Sequence, residues 1–274
     1  MTLDFGFCYH GVTMDSLEAL RWQWEMGATD FITAAPRDWL QAPVAEKALL
    51  FDVSTTLSVE MGTVAKVESH VDLSSITDLD SLRTTLENFD SLEIKKSATQ
   101  MVFGDGVPNP RVVVIGEAPG ADEDRIGRPF VGAAGKLLDK MLAAIGLSRA
   151  TNSYITNVIN WRPPGNRQPT PQEIALSLPY LQKHIELLAP EFLLVVGGTS
   201  AKALFNIEQG ITRARGQWMN YILPDGKSVP ALITFHPAYL LRSPAQKALA
   251  WRDLLALQAR LGLHPASENA TGKN

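Results

Sequence analysis

The sequence predicts an α/β fold: a short, mostly parallel four-stranded central sheet covered by helices on both faces, preceded by an N-terminal extension. From Arg111 onward, brief apolar runs alternate with helical patterns. The runs are continuously apolar, as strands buried on both faces are. Helix starts between them carry capping residues. Strand-helix alternation of this kind calls for parallel strands joined by right-handed crossovers.

The strands read as "RVVVIG", "SYITNVI", "EFLLVVGG" and "PALITF". Between and after them, helices are predicted over Lys136 to Ile145, Pro171 to Leu188, Ser200 to Leu204 and Pro244 to Leu261. Thr170-Pro171-Gln172-Glu173 combines an N-cap, a proline at the first helical position and a capping-box glutamate, and Ser243-Pro244 repeats the first two devices. Upstream, Leu79, Leu82, Leu86 and Phe89 recur at helical spacing after Asp78 and predict a helix laid onto the domain. Asp15, Glu18 and Gly27 bound another, from about Ser16 to Met26. Residues 28–77 have little periodicity and read as a connector. The domain reading is an acidic extension over 1–95, an α/β domain over 96–264 and a disordered tail over 265–274.

Charge is divided unevenly. Residues 1–110 carry 7 Lys and Arg against 17 Asp and Glu, whereas residues 111–274 carry 18 against 12. A basic α/β domain suits a polyanionic partner, and an ordinary solvated surface would also account for it. No run approaches the roughly 20 apolar residues of a membrane helix, and the first residues lack a basic start followed by an apolar core, so a cytoplasmic protein with no membrane partner is expected. Cys8 is the only cysteine of the 274 residues, which excludes an intramolecular disulfide and a four-cysteine cluster within one chain.

Ligands of parallel α/β sheets bind beyond the carboxyl ends of the strands. That rule selects "GEAPGADEDRIGRPFVG", "NVINWRPPGNRQPTP", "GGTSAKALF" and "HPAYLLRSP". "GEAPG" matches neither the dinucleotide fingerprint nor the P-loop. The charges from Asp122 to Arg128 read equally as a solvated loop or as a site, and Arg125 and Arg128 are candidates for phosphate contacts. His236 stands where an apolar strand stops, followed by Leu240, Leu241 and Arg242 in what reads as a loop. Exposed leucines beside an arginine form the kind of wedge that enters a base stack; two inward-turned core leucines are the alternative.

Taken in order, "GEAPG", "DEDR", "G-x-PFVG-x-AG", "YITNV", "RPPGNR-x-PTPxE", "GG-x-SAKAL", "RG" and "HPAYLLR-x-P" resemble the uracil-DNA glycosylase superfamily, closest to its family 4. The resemblance spans about Ser97 to Leu261. It implies a three-layer α/β/α domain and hydrolysis of the bond between uracil and deoxyribose in DNA; no lysine stands in the pocket motifs "GEAPG", "PFVG", "YITNV" and "HPAYLL" to form a Schiff base, so a monofunctional glycosylase of base excision repair is expected. It implies Glu117 and Glu123 as candidates for orienting the attacking water, Phe130 stacked on uracil, Asn157 on its polar edge, His236 facing O2, and main-chain groups around Gly116 and Ala118 completing the pocket. Leu240, Leu241 and Arg242 would fill the gap in the helix, while Arg162 and Arg167 would either contact phosphates or pin a proline-rich loop. The implied partners are uracil-containing DNA, single- or double-stranded, and its abasic product, bound by a monomer.

The physical chemistry agrees with that allocation. A base inside a duplex is out of reach, so it must be extruded at a cost of a few kcal/mol in stacking and pairing. Cleavage leaves negative charge on uracil and positive charge on the sugar, which a donor at O2 and a carboxylate near the sugar would stabilise. An Asn offers both the donor and the acceptor that the O4 and N3–H edge needs.

Family 4 members usually hold a four-iron, four-sulfur cluster through four cysteines. One would fall at Trp161, another near Ser177, and the upstream pair within "FDSLEIKKSATQMVFG", none of which is cysteine here. A protein without metal or other cofactor is expected. Two further functions compete: a uracil-DNA or abasic-site binding protein that traps product, and a small-nucleotide hydrolase or binding module on the same sheet.

Overall fold

The structure, a computed structural model, describes residues 73–263. The expected helix at 16–26, most of the 28–77 connector and the 265–274 tail lie outside the described residues. Six strands form one sheet in the order β1-β3-β2-β4-β6-β5. They are β1 (Asp105–Gly106), β2 (Val112–Gly116), β3 (Ser153–Asn157), β4 (Phe192–Val196), β5 (Trp218–Ile222) and β6 (Ser228–Thr234). The helices are α1 (Leu79–Glu87), α2 (Ala121–Ile126), α3 (Ala133–Ala143), α4 (Pro171–Leu188), α5 (Gly198–Phe205), α6 (Ile211–Ala214), α7 (Pro237–Arg242) and α8 (Lys247–Leu261).

The four expected strands are β2, β3, β4 and β6, and each pairs in parallel with its neighbour. The expected count of four is corrected to six by antiparallel strands on both edges. Neither carries the signal of a buried strand. β1 is two residues, too short for any period. In "WMNYI" of β5 only Tyr221 is buried, as befits an edge. The Pro224-Asp225-Gly226 turn that joins β5 to β6 is its clearest local mark, closed by a Leu223 N–H to Lys227 carbonyl bond of 2.9 Å.

β2 explains why its sequence is uninterrupted by polar residues. Val112 and Val114 meet Leu138 and Leu142 of α3 and Leu254 and Leu257 of α8. Val113 and Ile115, pointing the other way, meet Leu82 and Leu86 of α1 and Ile185 and Leu188 of α4. All five β2 residues are buried. The predicted α1 stripe thus shares the core of the sheet, and the Asp78 carboxylate caps its helix by accepting the Ser81 N–H at 2.8 Å.

α4 matches its expected limits and runs through Pro179. Its capping box is formed: Thr170 Oγ1 accepts the Glu173 N–H at 3.2 Å, and a Glu173 carboxylate oxygen accepts the Thr170 N–H at 2.7 Å. Among the described residues no helix is long and apolar enough to cross a membrane. The register brings Gly116, Asn157, Val196 and Thr234, the last residues of the four parallel strands, to one end of the sheet.

Candidate active site

A cavity of about 490 Å³ opens at that end. Its walls include Glu117, Ala118, Glu123, Phe130, Asn157 and His236, with Arg167 and Arg242 also lining it. Residues separated by more than a hundred positions converge because each follows the carboxyl end of a parallel strand.

The turn after β2 begins at Gly116, a position that admits no side chain. A Cβ there would lie 2.4 Å from Asn157 Oδ1 and 2.6 Å from the Phe130 ring. The next residue, Glu117, is largely buried, and that desolvation raises its carboxyl pKa above the ordinary 4.5, opposed by a hydrogen bond from the Thr199 side chain at the start of α5.

The charges after that turn divide between exposed ion pairs and anchored carboxylates. Asp122 pairs with Arg125 at 3.3 Å and Arg128 with Asp105 at 2.8 Å. Asp124, 4% exposed, accepts the Thr99 N–H and hydroxyl, both at 2.8 Å. Glu123 accepts three main-chain N–H groups, of Gly120 at 3.1 Å, Val131 at 2.8 Å and Gly132 at 2.9 Å. Both of its oxygens are thereby engaged in tying α2 to the segment that carries Phe130. Arg125 and Arg128, the candidates for phosphate contacts, are 69% and 59% exposed within these ion pairs.

Phe130 adopts a left-handed backbone with φ of 54°, which costs a non-glycine residue about 1–2 kcal/mol. The residue is 6% exposed, and its ring stands 5.5 Å from the imidazole of His236, inclined by 32°. Asn157 ends β3, buried, and its Oδ1 has no hydrogen-bond partner among the described residues. A buried acceptor left unpaired costs about 1–3 kcal/mol.

His236 is the N-cap of α7, with Pro237 in the first turn. Its Nδ1 accepts the Ala238 N–H at 3.1 Å, which leaves the proton of the neutral ring on Nε2. Burial depresses its pKa to about 4; the Arg242 cation acts in the same direction and Glu123 opposes it.

α7 corrects the expected loop, and it corrects the pair of leucines. Leu240 is 1% exposed and packs with Phe235 and Ala250, whereas Leu241 is 43% exposed. Helical geometry turns consecutive side chains about 100° apart, so one leucine enters the core while the next faces solvent. Only Leu241 and Arg242 remain available to a partner.

Arg167 pins the proline-rich loop: its guanidinium grips Glu173 through bonds of 2.8 and 2.6 Å, and this pairing draws the Glu173 carboxyl down to about 2. Arg162 donates to Asn166 Oδ1 at 2.8 Å and does not line the cavity. Tyr239, Asn166 and Thr199 were not singled out in the sequence. Tyr239 lies inside "HPAYLL" and Asn166 inside "RPPGNR", so their motifs were visible although their place on the wall was not.

The positions where the resemblance implies cluster cysteines do not fit an iron-sulfur group. Trp161, 3% exposed, belongs to an apolar cluster with Phe89, Tyr180 and Leu181. Ser177 is buried with its Oγ unpartnered among the described residues, where a hydroxyl is a poor substitute for thiolate. No group of three His, Cys, Asp or Glu among the described residues could hold a metal ion.

Comparison with known proteins bears on the same residues. Residues 103–255 match the Uracil DNA glycosylase superfamily. The Type-4 uracil-DNA glycosylase of Pyrobaculum aerophilum is 39% identical over 181 residues, which cover 65% of this chain and 91% of the relative. That of Archaeoglobus fulgidus is 39% identical over 170 residues, covering 61% and 84%. That of Thermotoga maritima is 41% identical over 146 residues, covering 53% and 73%. The family match takes in more than half of the chain and every strand end that builds the cavity, and the chain belongs to the uracil DNA glycosylase superfamily.

Proposed function

We propose that the protein is a monofunctional uracil-DNA glycosylase of base excision repair, which extrudes uracil from DNA and hydrolyses its N-glycosidic bond. The observation that carries this reading is the unpartnered Asn157 Oδ1, buried beside an aromatic face and across from a histidine whose proton is fixed on Nε2. Uracil satisfies all three at once. Its N3–H meets Oδ1, its O4 meets the Asn157 amide, its ring stacks on Phe130 and its O2 meets Nε2–H. Cytosine, with a lone pair at N3 and an amino group at C4, would leave the Asn157 groups unpaired, and unpaired buried polar groups give strong discrimination.

In the proposed reaction the C1′–N1 bond breaks with its electron pair passing to uracil. The Nε2–H of His236 stabilises the charge that develops on O2. The Glu117 carboxylate faces the cationic sugar, orients water toward C1′ and accepts its proton as the new C–O bond forms. Glu123 is assigned to holding the Phe130 segment, since its oxygens already serve three main-chain donors. Leu241 and Arg242 fill the space left in the duplex, and main-chain groups at Ala118 close the pocket. No lysine lines the cavity among the described residues, so no Schiff base forms and the strand stays intact. The protein acts as a monomer in the cytoplasm on single- and double-stranded DNA.

The test is incubation with a uracil-containing oligonucleotide, followed by alkali and by native and denaturing gels. Alkali-dependent cleavage with multiple turnovers is the expected result. A persistent complex without turnover would instead favour a protein that traps its product, and absence of both would overturn the reading.

A further inference from the structure

Phe130 cannot hold its left-handed backbone by intrinsic preference, so the surroundings must impose it. On the amide side of the segment, Glu123 takes the N–H groups of Val131 and Gly132. On the carbonyl side stands Arg149, from the connection between α3 and β3. Its Nη1 donates to the Pro129 carbonyl at 2.5 Å and its Nη2 to the Phe130 carbonyl at 2.6 Å. The guanidinium is itself held by Asp139, which accepts from Nε at 2.8 Å, and by Asp105, which accepts from Nη1 at 3.2 Å. Its side chain is 12% exposed and is not part of the cavity wall. Gly135 supplies the room, because a Cβ there would lie 1.8 Å from the Phe130 carbonyl oxygen.

A planar fork that donates to two successive carbonyls fixes the orientation of the peptide planes on either side of the Phe130 Cα. The Glu123 carboxylate holds the second of those planes from its other edge, through the Val131 N–H, and the plane that follows through the Gly132 N–H. Between these two charges the φ and ψ of Phe130 are fixed, and with them the direction of the Cα–Cβ bond that carries its ring. We infer that Arg149 is a positioning residue for uracil excision, one that holds Phe130 in the geometry that receives the base without itself touching DNA. This rests on the stacking role proposed for Phe130.

A double-mutant cycle tests it by single-turnover excision rates in wild type, Phe130→Ala, Arg149→Gln and the double variant. Misplacing a contact by about 1 Å can cost up to 100-fold. Arg149→Gln is therefore expected to lose about 10- to 100-fold in the wild-type background and less than about 3-fold once the ring is gone. Arg149→Lys keeps the cation beside Asp105 and Asp139 but lacks the fork, and it should behave as Arg149→Gln does; it also serves the cycle if Arg149→Gln fails to fold. Equal losses in both backgrounds, full activity of Arg149→Lys, or unfolding of both variants at 25 °C would overturn the inference. A wild-type protein that does not excise uracil would count against the proposed function instead.

Discussion

The Nδ1 atom of His236 accepts the main-chain N–H of Ala238 at 3.1 Å, and this single bond decides which ring nitrogen can donate toward the cavity. His236→Asn keeps an acceptor at the N-cap of α7 but moves the donor away from O2. The expected outcome is loss of about 10²- to 10³-fold in excision rate, the usual cost of one such donor, with the melting temperature little changed. Parallel thermal melts and single-turnover assays separate the two effects.

The titration of His236 and His184 gives a stability profile with a definite sign. Burial lowers His236 from 6.5 to about 4 and His184 to about 3. Below pH 6.5 the unfolded chain takes up protons that the folded one refuses, so stability falls as pH drops from about 6.5 toward 4. The raised carboxyl of Glu117 works in the opposite sense at the acid end. Urea midpoints measured across this range should fall with acid, and His184→Gln should flatten the slope. Excision should show no inflection from His236 between pH 5 and 8. Its acid limb, set by Glu117, should lie above 4.5.

The two glutamates of the cavity should part company under substitution. Glu117→Gln is expected to reduce excision by about 10²- to 10⁴-fold while leaving stability equal or higher, because a desolvated carboxylate is replaced by a neutral group. Glu123→Gln should cost about 1.5–3 kcal/mol of stability, since charged acceptors of main-chain N–H groups are replaced by weaker ones. Denaturant unfolding beside kinetics distinguishes them; equal kinetic losses with equal stability would contradict the division of roles.

Leu240 and Leu241 offer a second such contrast. Leu240→Ala should destabilise the fold by about 2–5 kcal/mol, as truncation of a buried leucine does. Leu241→Ala should change stability by less than about 0.5 kcal/mol and weaken excision from duplex DNA more than from single strands. Comparing the two substrates is the decisive measurement, because only a duplex leaves a gap to fill.

Gly116→Ala tests the back of the pocket. Its Cβ would sit 2.4 Å from Asn157 Oδ1, so either the amide or the Phe130 ring must shift. Uracil excision should fall by about 100-fold. Binding of free uracil, followed by calorimetry, should fall with it.

How much of this was visible in the sequence depended on how local each signal was. β2, β3, β4 and β6 were legible because burial on two faces writes an unbroken apolar run, and α4 because its proline and capping box adjoin. β1 and β5 were not, being edges with little or no pattern. The His236 helix leaves no such mark, because histidine is an unusual N-cap and six residues hold too little periodicity. The grip of Glu123 on Val131 and Gly132 spans eight and nine positions, and that of Arg149 on Pro129 and Phe130 twenty and nineteen, so no short motif announces either. Glu117, Asn157 and Phe130 were found by their place at strand ends and by family resemblance, but only geometry distinguished a free acceptor from one already occupied.

The cap on α7 has a mechanical consequence. His236 caps the short helix that carries the exposed Leu241 and Arg242, so the proposed duplex-filling tip and the proposed O2 donor are joined by about one and a half turns of helix. Under the proposed reaction the helix works as a depth gauge. Its far end can advance only where a base has left the stack, and only then does its near end reach the distance at which a departing charge is met. Damage search and bond cleavage would then be metered by the same ruler.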